Sequence, residues 1–558
     1  MSVFIGYPSF MAYQMMKGKK DNNDGFPSVP GMIARYSALG LTNEQMAANP
    51  VWVDKTGNGH DLQMKNFAWK EGSGISDIYP GALVFDGVDD WAGCDNLPLL
   101  PKEKGYSIIA LRNWITRYDA IQYKRPLISN LDRNDEGAFL IEYRKDENVN
   151  DVTGSYNSFT DVYIDDNNPI TWQTSSSYNG QIIKKGTSKS ANKLCICKTY
   201  FGQLSNYANA AIWEIVILDH DATEEELTKI KDFFVKTYPW LFSDQAWTVV
   251  GKTNEDEDRA TIANITGNGN DLVLSNFGFA EGSGYGLYAE NYAGGRWVQS
   301  TDRADLTWTS YSVNITSVKV ASTQLYYQSY PEQPSFTVPS YKIKVYGLKD
   351  GQTLSYKQVT SEGQQIYKIS EDGIYTLPSF LFKANGDWYG FTLDKIQETC
   401  DITIEQIPEY EGYLVTDGVD DKITSSTFEM GNDWTVIGDW ELINTGKNDN
   451  AGIVKFDSIV IYNYNPILIN IKNGRNNLIP DQNTVNAICS DGRIYSKDWK
   501  ESIYNEETES TSKNLLTIGY SGNSYTKIAF KNLAIYPTVL SKEDCIKAYN
   551  YLQTLKAK

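Results

Sequence analysis

Along most of the chain, hydrophobic and polar residues alternate with a period of two. Tyr106-Ser107-Ile108-Ile109-Ala110-Leu111, Tyr341-Lys342-Ile343-Lys344-Val345-Tyr346 and Trp434-Thr435-Val436-Ile437-Gly438 are examples, set between Gly, Asn and Asp turns. Side chains two apart share a strand face, so the pattern predicts short antiparallel strands stacked as sandwiches. Two segments change period. After Thr223, which can form a capping box with Glu226, Leu227, Ile230 and Phe234 recur at helical spacing. Ser541 is the expected cap of a second helix carrying Ile546, Tyr549 and Leu552 on one face. A strand precedes each helix: Ile212–Leu218 before the first and Leu533–Tyr536 before the second.

The chain repeats itself. Gly57-Asn58-Gly59-His60-Asp61-Leu62 returns as Gly267-Asn268-Gly269-Asn270-Asp271-Leu272. Asn66-Phe67 returns as Asn276-Phe277, and Glu71-Gly72-Ser73-Gly74 as Glu281-Gly282-Ser283-Gly284, all displaced by 210 positions. A constant displacement across three motifs marks a duplication. Asp86-Gly87-Val88-Asp89-Asp90 returns as Asp417-Gly418-Val419-Asp420-Asp421, now displaced by 331, so the second copy holds 121 further residues between these motifs. That is enough for a small domain. The insert, 291–409, also reads as β: Asp350-Gly351 and Asp372-Gly373 are hairpin-type turns, and Cys400-Asp401-Ile402-Thr403-Ile404-Glu405 closes it. The predicted organisation is an N-terminal docking segment and linker (1–30), a first module (31–242), and a second module in two parts (243–290 and 410–558) around the insert.

Composition sharpens the picture. The 558 residues are 41% hydrophobic and 22% charged, a globular balance too long for one core. Tyr (38) outnumbers Phe (20), which suits strand faces and exposed recognition surfaces alike. The formal charge of −19 disfavours nucleic acid and anionic membranes. No apolar run is long enough to span a bilayer. In the N-terminal segment Lys17, Lys19 and Lys20 follow the apolar residues, the reverse of a secretory signal. The six scattered cysteines and two histidines make no zinc pattern, and a reduced, disulfide-free protein of a cytoplasm is expected.

Candidate chemistry is sparse. Asp86, Asp89 and Asp90, and again Asp417, Asp420 and Asp421, could give oxygen ligands to Ca2+; the other reading is a tight turn whose aspartates bond backbone amides. Asp54, Asn58 and Asp61 around the Gly-Asn-Gly turn carry the same two readings. No Glu-x-Asp-x-Glu strand of the glycosidase kind occurs. Glu255-Asp256-Glu257-Asp258 reads as a solvated turn. His60 and His220 lie in turns without a nucleophile motif, and no Walker or dinucleotide fingerprint is found. An enzyme would need a carboxylate pair assembled from distant strands, so no catalytic residue and no organic cofactor is expected. Loop aromatics able to stack on sugars are Trp69, Tyr79, Trp91, Trp297 and Trp308, with core or interface packing as the alternative; Trp213 and Trp440 read as core.

The Gly-Asn-Gly-His-Asp-Leu turn, the Phe-Asp-Gly-Val-Asp-Asp strand end and the late strand before an acidic-capped helix resemble laminin-G-like, concanavalin-A-like jelly rolls. The resemblance covers both repeats. It implies an all-β fold of two jelly-roll β-sandwiches, each closed by a short C-terminal helix, the second interrupted by an immunoglobulin- or fibronectin-like β-sandwich. This fold serves lectins, glycosidases and scaffolds alike. The Asn/Tyr-rich strands, Tyr238-Pro239-Trp240-Leu241 after the helix, and tandem modules behind a short leading segment also resemble proteins of crAss-like Bacteroides phages. That resemblance implies a non-enzymatic virion protein: a head fibre, collar decoration or tail adhesin, made in the host bacterial cytoplasm. Its expected partners are other virion proteins, further copies of itself, and host surface polysaccharide. The contrasting reading is a bacterial cell-surface lectin or an accessory protein of polysaccharide degradation.

Overall fold

The structure is a computed structural model. It describes residues 24–557 apart from 101–104, 116–124, 131–139, 144–169, 175–191, 200, 202–205, 281, 287–297, 300–302, 309–311, 321–322, 329–335, 339, 362, 383–386, 396–398, 408–409, 444–451, 457–458, 463–467, 472–474, 479–484, 504–513 and 522–523. Residues 1–23 of the expected docking segment and linker (1–30) therefore lie outside the described residues. Within them the fold is all-β, as the alternation predicts, with three α-helices: α1 (Asn43–Ala48), α2 (Glu224–Thr237) and α3 (Lys542–Leu552). All six cysteines are buried and none is joined in a disulfide.

The first jelly roll pairs two antiparallel sheets. One runs Ile170–Thr174, Ser107–Trp114, Asn209–Leu218, Leu83–Asp86, Gly74–Ile75, with Met32–Ser37 sharing an edge of Asn209–Leu218. The other runs Val51–Trp52, Leu62–Lys65, Trp91–Cys94, Leu194–Ile196, Arg125–Ser129, Leu140–Tyr143. Leu62 and Met64 point into the sandwich while Gln63 and Lys65 point to water, the alternation of a one-sided sheet. The first sheet differs, because Ser107–Trp114 is buried at every position. Tyr36, Phe85, Ile108, Ile212, Ile215 and Ile217 fill the sandwich. Ile109, Leu111, Ala211, Trp213, Val216 and Leu218 face the other way into a second apolar cluster.

The second jelly roll repeats this plan. Ile528–Tyr536 is its central strand, flanked by Thr435–Leu442 on one side and by Gln245–Thr248 and Leu414–Val415 on the other. Register shifts by one residue at the same place in both copies, at Trp213 in the first and Lys531 in the second. A bulge turns two successive side chains to one face. Trp213 and Glu214 both face away from the first core, and Lys531 and Asn532 do so in the second.

The two outward faces share one cover. Ile230, Phe233 and Phe234 of α2, then Tyr238, Trp240 and Leu241, meet Cys545, Ala548, Tyr551 and Leu552 of α3 in a single cluster with both sheets. Trp213 of the first jelly roll and Tyr551 of the second stack edge-on at 6.2 Å, and the Tyr536 hydroxyl donates to the Trp240 carbonyl. Both expected caps are present at Thr223 and Ser541. In α3 the buried stripe is Cys545, Ala548, Tyr551 and Leu552, whereas Ile546 and Tyr549 are half-buried. The helix is rotated from its predicted face because it is enclosed from two sides. α1, with its Thr42/Gln45 capping box, was not foreseen.

A buried ion pair ties α2 to its sheet. Arg35 approaches Glu214 through Nε and Nη2, both at 3.2 Å, and the Tyr238 hydroxyl donates to Glu214 at 2.7 Å. Burial raises the Glu214 carboxyl despite Arg35 beside it. The second copy has Ala246 and Asn532 at these places, and Asn532 donates to the Leu552 carbonyl instead.

The insert leaves the second jelly roll beside the point where it returns, for the Gly286 amide donates to the Tyr413 carbonyl at 2.8 Å. Between them stand two five-stranded sheets, one centred on Trp388–Lys395 and the other on Thr399–Ile407, packed over Ile315, Tyr356, Phe391 and Ile402. Asp350-Gly351 and Asp372-Gly373 do not close hairpins. Tyr341–Tyr346 pairs with Gly373–Leu377, and Thr353–Thr360 with Gly363–Ile369, so each turn carries the chain from one sheet to the other. The Asp372 carboxylate accepts from the Gly347 and Leu348 amides and anchors that crossing.

Trp213→Ala is expected to cost about 3–5 kcal/mol, the usual range for a fully buried tryptophan. Because the layer is shared, both jelly rolls should then unfold earlier and together in a guanidinium titration followed by tryptophan fluorescence. Glu214→Ala removes the buried partner of Arg35 and leaves it only the partly exposed Asp24 carboxylate at 2.7 Å, so the loss should stay below the range of about 3–5 kcal/mol for a buried charge left wholly unpaired; a loss below about 1 kcal/mol in the same titration would mean that Asp24 and water suffice for Arg35.

Candidate functional site

The two Asp-Gly-Val-Asp-Asp segments fold alike. One oxygen of Asp86 accepts from the amides of Val88, Asp89 and Asp90 at 2.8, 3.2 and 3.3 Å, and Asp90 accepts from the Asp86 amide. Asp417 and Asp421 repeat these bonds, and Ser283 Oγ donates to Asp421 at 3.0 Å. Ligand atoms of each aspartate trio lie within 4.8 Å of one another, so each cluster could hold a metal such as Ca2+. The backbone takes one oxygen each of Asp86 and Asp90, and of Asp417 and Asp421, and the oxygens left in a trio are fewer than the roughly six to eight that calcium takes. Burial first, then the neighbouring aspartates, raise Asp90 and Asp421 from 3.8 to about 6.

The Gly-Asn-Gly turns are built the same way. Asp54 accepts from the Arg35, Thr56 and His60 amides, and Asp61 accepts from the Asp54 amide. In the second copy Asn264 accepts from the Ala246 and Thr266 amides, with Asp271 in the place of Asp61. His220 is held between Asp219 and Glu226 at the start of α2.

The structure separates the predicted sugar-stacking aromatics. Trp297 lies outside the described residues, and Trp308 ends the strand Ala304–Trp308 of the insert. Trp69 stacks on Phe67 at 4.9 Å against the first core, with a left-handed backbone (φ 53°) that Phe279 repeats in the second copy. Tyr79 packs against the layer between the jelly rolls and bonds Thr554. Trp91 stands on the outer side of a sheet, because its neighbours Ala92 and Cys94 point into the core.

Around Trp91 the outer face forms a ledge. The indole lies over Gly93, where any side chain would strike both it and Phe201. Phe201 meets it edge-on at 5.7 Å. Lys198 Nζ sits 4.0 Å from the Trp91 ring centre and 6.0 Å from that of Tyr207. Lys65 is opposite Trp91 in register, and Lys193 lies 4.8 Å from the Phe201 ring. Lys198 is only 7% exposed, and burial lowers its amine from the ordinary lysine value. Nothing in the sequence links Lys198, Phe201 and Tyr207 to Trp91; only the pairing of Leu194–Ile196 with Trp91–Cys94 brings them together.

The second jelly roll has a ledge at the same place with its parts exchanged. Lys422 follows the aspartate turn where Trp91 does in the first. The hairpin Tyr520–Ser521/Ser524–Tyr525 then precedes the central strand, as the Lys198–Tyr207 bridge does. Lys422 Nζ lies 5.9 Å from the Tyr520 ring, and Tyr520 meets Tyr525 at 4.9 Å.

One alternation of carboxylates escaped the sequence reading. Asp439 and Glu441 share the outer face of Thr435–Leu442. Asp439 accepts from the Tyr413 hydroxyl at 3.1 Å and lies 3.9 Å from Lys531, and Glu441 pairs with Lys497. The single Asp-x-Glu step is the signal that could have found them.

No family model matches the chain, and no curated protein matches it. Among solved structures it is similar to Trypanosoma rangeli sialidase in complex with sialic acid, at 9% identity over 52% of this chain and 67% of that one, with a TM-score of 0.21. It is also similar to the tandem CBM22 domains of Paenibacillus barcinonensis Xyn10C, at 10% identity over 46% of this chain and all of that one (100%), TM-score 0.15. A triple jelly-roll protein of an archaeal virus turret matches at 9% identity over 92% and 96%, TM-score 0.14.

The raised aspartates give a signed pH dependence. Between 3.8 and about 6 the folded chain keeps protons on Asp90 and Asp421 that the unfolded chain has released, so their contribution to stability falls as pH rises through that window. Asp421→Asn should raise the melting temperature at pH 8, by an amount that shrinks towards zero at pH 4. A turn held by calcium would instead show a wild-type melting temperature that climbs with millimolar Ca2+, a response lost in the variant.

Proposed function

We propose that the chain is a non-enzymatic structural and adhesion protein of a phage particle. Its leading segment docks on other virion proteins, and its sandwiches are held outward to bind host surface glycans. The observation that carries the adhesive part is the ledge at Trp91. A half-buried indole stands beside a glycine on the water side of a rigid sheet, with Phe201 and Lys198 against it, and together they offer a pyranose an aromatic surface and a hydrogen-bond donor. The phage part is supported by the sequence resemblance described above. Several copies on one particle would turn weak individual contacts into firm attachment.

Immunogold microscopy of purified particles, with antibody against residues 243–558, is expected to label head, collar or tail. Label confined to the bacterial surface would replace the virion reading with that of a cell-surface lectin. Trp91→Ala should weaken retention of the full chain on immobilised host polysaccharide while leaving its melting temperature within a few degrees of wild type. Undiminished retention would remove the ledge from the adhesive surface.

A further inference from the structure

We infer that the ledges select acidic glycans, polysaccharides bearing carboxylated sugars such as uronic acids; this rests on the glycan-binding reading above. The argument starts from charge. The chain carries −19 overall, yet three lysines, Lys65, Lys193 and Lys198, gather around Trp91 and Phe201. Lys193 has Asp95 at 3.9 Å, a weak and exposed pairing. Lys198 is the telling one. It is more than nine-tenths buried, and among the described residues no carboxylate pairs with it. Its hydrogen bond is a long one, 3.5 Å to the Phe201 carbonyl.

An ammonium group carries three donors, and desolvating one without a counter-ion is costly. The Trp91 face offsets part of that cost through its quadrupole, but it supplies no acceptor. The remaining donors stand over the Trp91 ring, where a carboxylate on a sugar held at the ledge would meet them. Screening confines the repulsion of distant acids to about 8 Å at physiological salt; of the nearer ones, Asp95 stands by Lys193 and Asp89 by Tyr207, and neither pairs with Lys198.

The second ledge makes the same combination from different residues. Lys422 stands beside Tyr520 and Tyr525, and Lys455 projects from the next strand but one, opposite Thr517. Trp91 and Lys422 occupy the same place after the aspartate turn, and in each copy the hairpin supplies what the strand lacks: the lysine in the first, the aromatics in the second. What the two copies share on this face is therefore a composition, lysine against aromatic, rather than any one residue.

The test is direct binding of the full chain to immobilised oligogalacturonate, oligomannuronate and hyaluronan fragments, each beside its carboxyl-reduced, neutral counterpart. The expected result is at least tenfold tighter binding to one or more of the acidic forms, weakening as salt rises. Lys198→Met, which keeps the buried stem, should erase most of that preference at the first ledge, most plainly in a chain that also carries Lys422→Gln. Trp91→Ala should weaken acidic and neutral forms alike. Equal binding of acidic and neutral forms, or a preference untouched in the Lys198→Met/Lys422→Gln chain, overturns the inference and leaves the glycan-binding reading standing. Binding to neither form of any of the glycans overturns both.

Discussion

One sheet from each jelly roll is apolar on both faces, and the molecule is organised by the need to cover the outer ones. A sheet buried on one side can stand in water; a sheet buried on both cannot. Trp213, Val216 and Leu218 on one side and Ala534 and Tyr536 on the other leave no solvated option for either strand. The two terminal helices meet that need jointly, since α2 and α3 lie in one cluster with both sheets. Neither helix is long, and an isolated helix of this length has little stability of its own. Each is held because two sheets press on it.

The bulge makes this layer specific. In both copies it breaks the alternation at the point where the central strand passes from the sandwich edge to the helix side. It thereby sends two consecutive side chains outward where a regular strand would send one. The first copy uses the extra position for Glu214, which grips Arg35 and the end of α2; the second uses Asn532, which grips the end of α3. Duplication preserved the geometry and let the chemistry drift from an ion pair to a neutral amide. A neutral amide is the less demanding solution, because desolvating a charged pair costs more than desolvating an amide.

How much of this was legible in the sequence depends on whether the cause was local. Period-two alternation, the displaced motifs and the Thr223 and Ser541 caps are local, and they foretold the all-β fold, the duplication and both closing helices. The shared layer is not local. Its one sequence signal is the unbroken apolar run from Ile215 to Leu218, which reads as a strand buried on both faces but does not name what buries it. The same limit explains the stripe on α3, which a single-sided face predicts one position away. Trp91 was identifiable as an aromatic after a turn, whereas Lys198, Phe201 and Tyr207 come from a hairpin that reaches it only through sheet pairing. The aspartate turns were legible as two alternatives, and the amide bonds favour the turn while leaving three ligand atoms close together.

The contact between Gly286 and Tyr413 has a mechanical meaning. A domain whose two ends emerge side by side transmits any pull on it through one spot of its host. Force on the insert would open Gly284–Tyr285 from Leu414–Val415 one rung at a time, the weak direction for a sheet, rather than shearing long strands past each other. Drag on the insert would thus be relieved by a short fray at this seam. The doubly covered strands beyond it, and the helices between the two sandwiches, would bear the same pull but give way only after the seam.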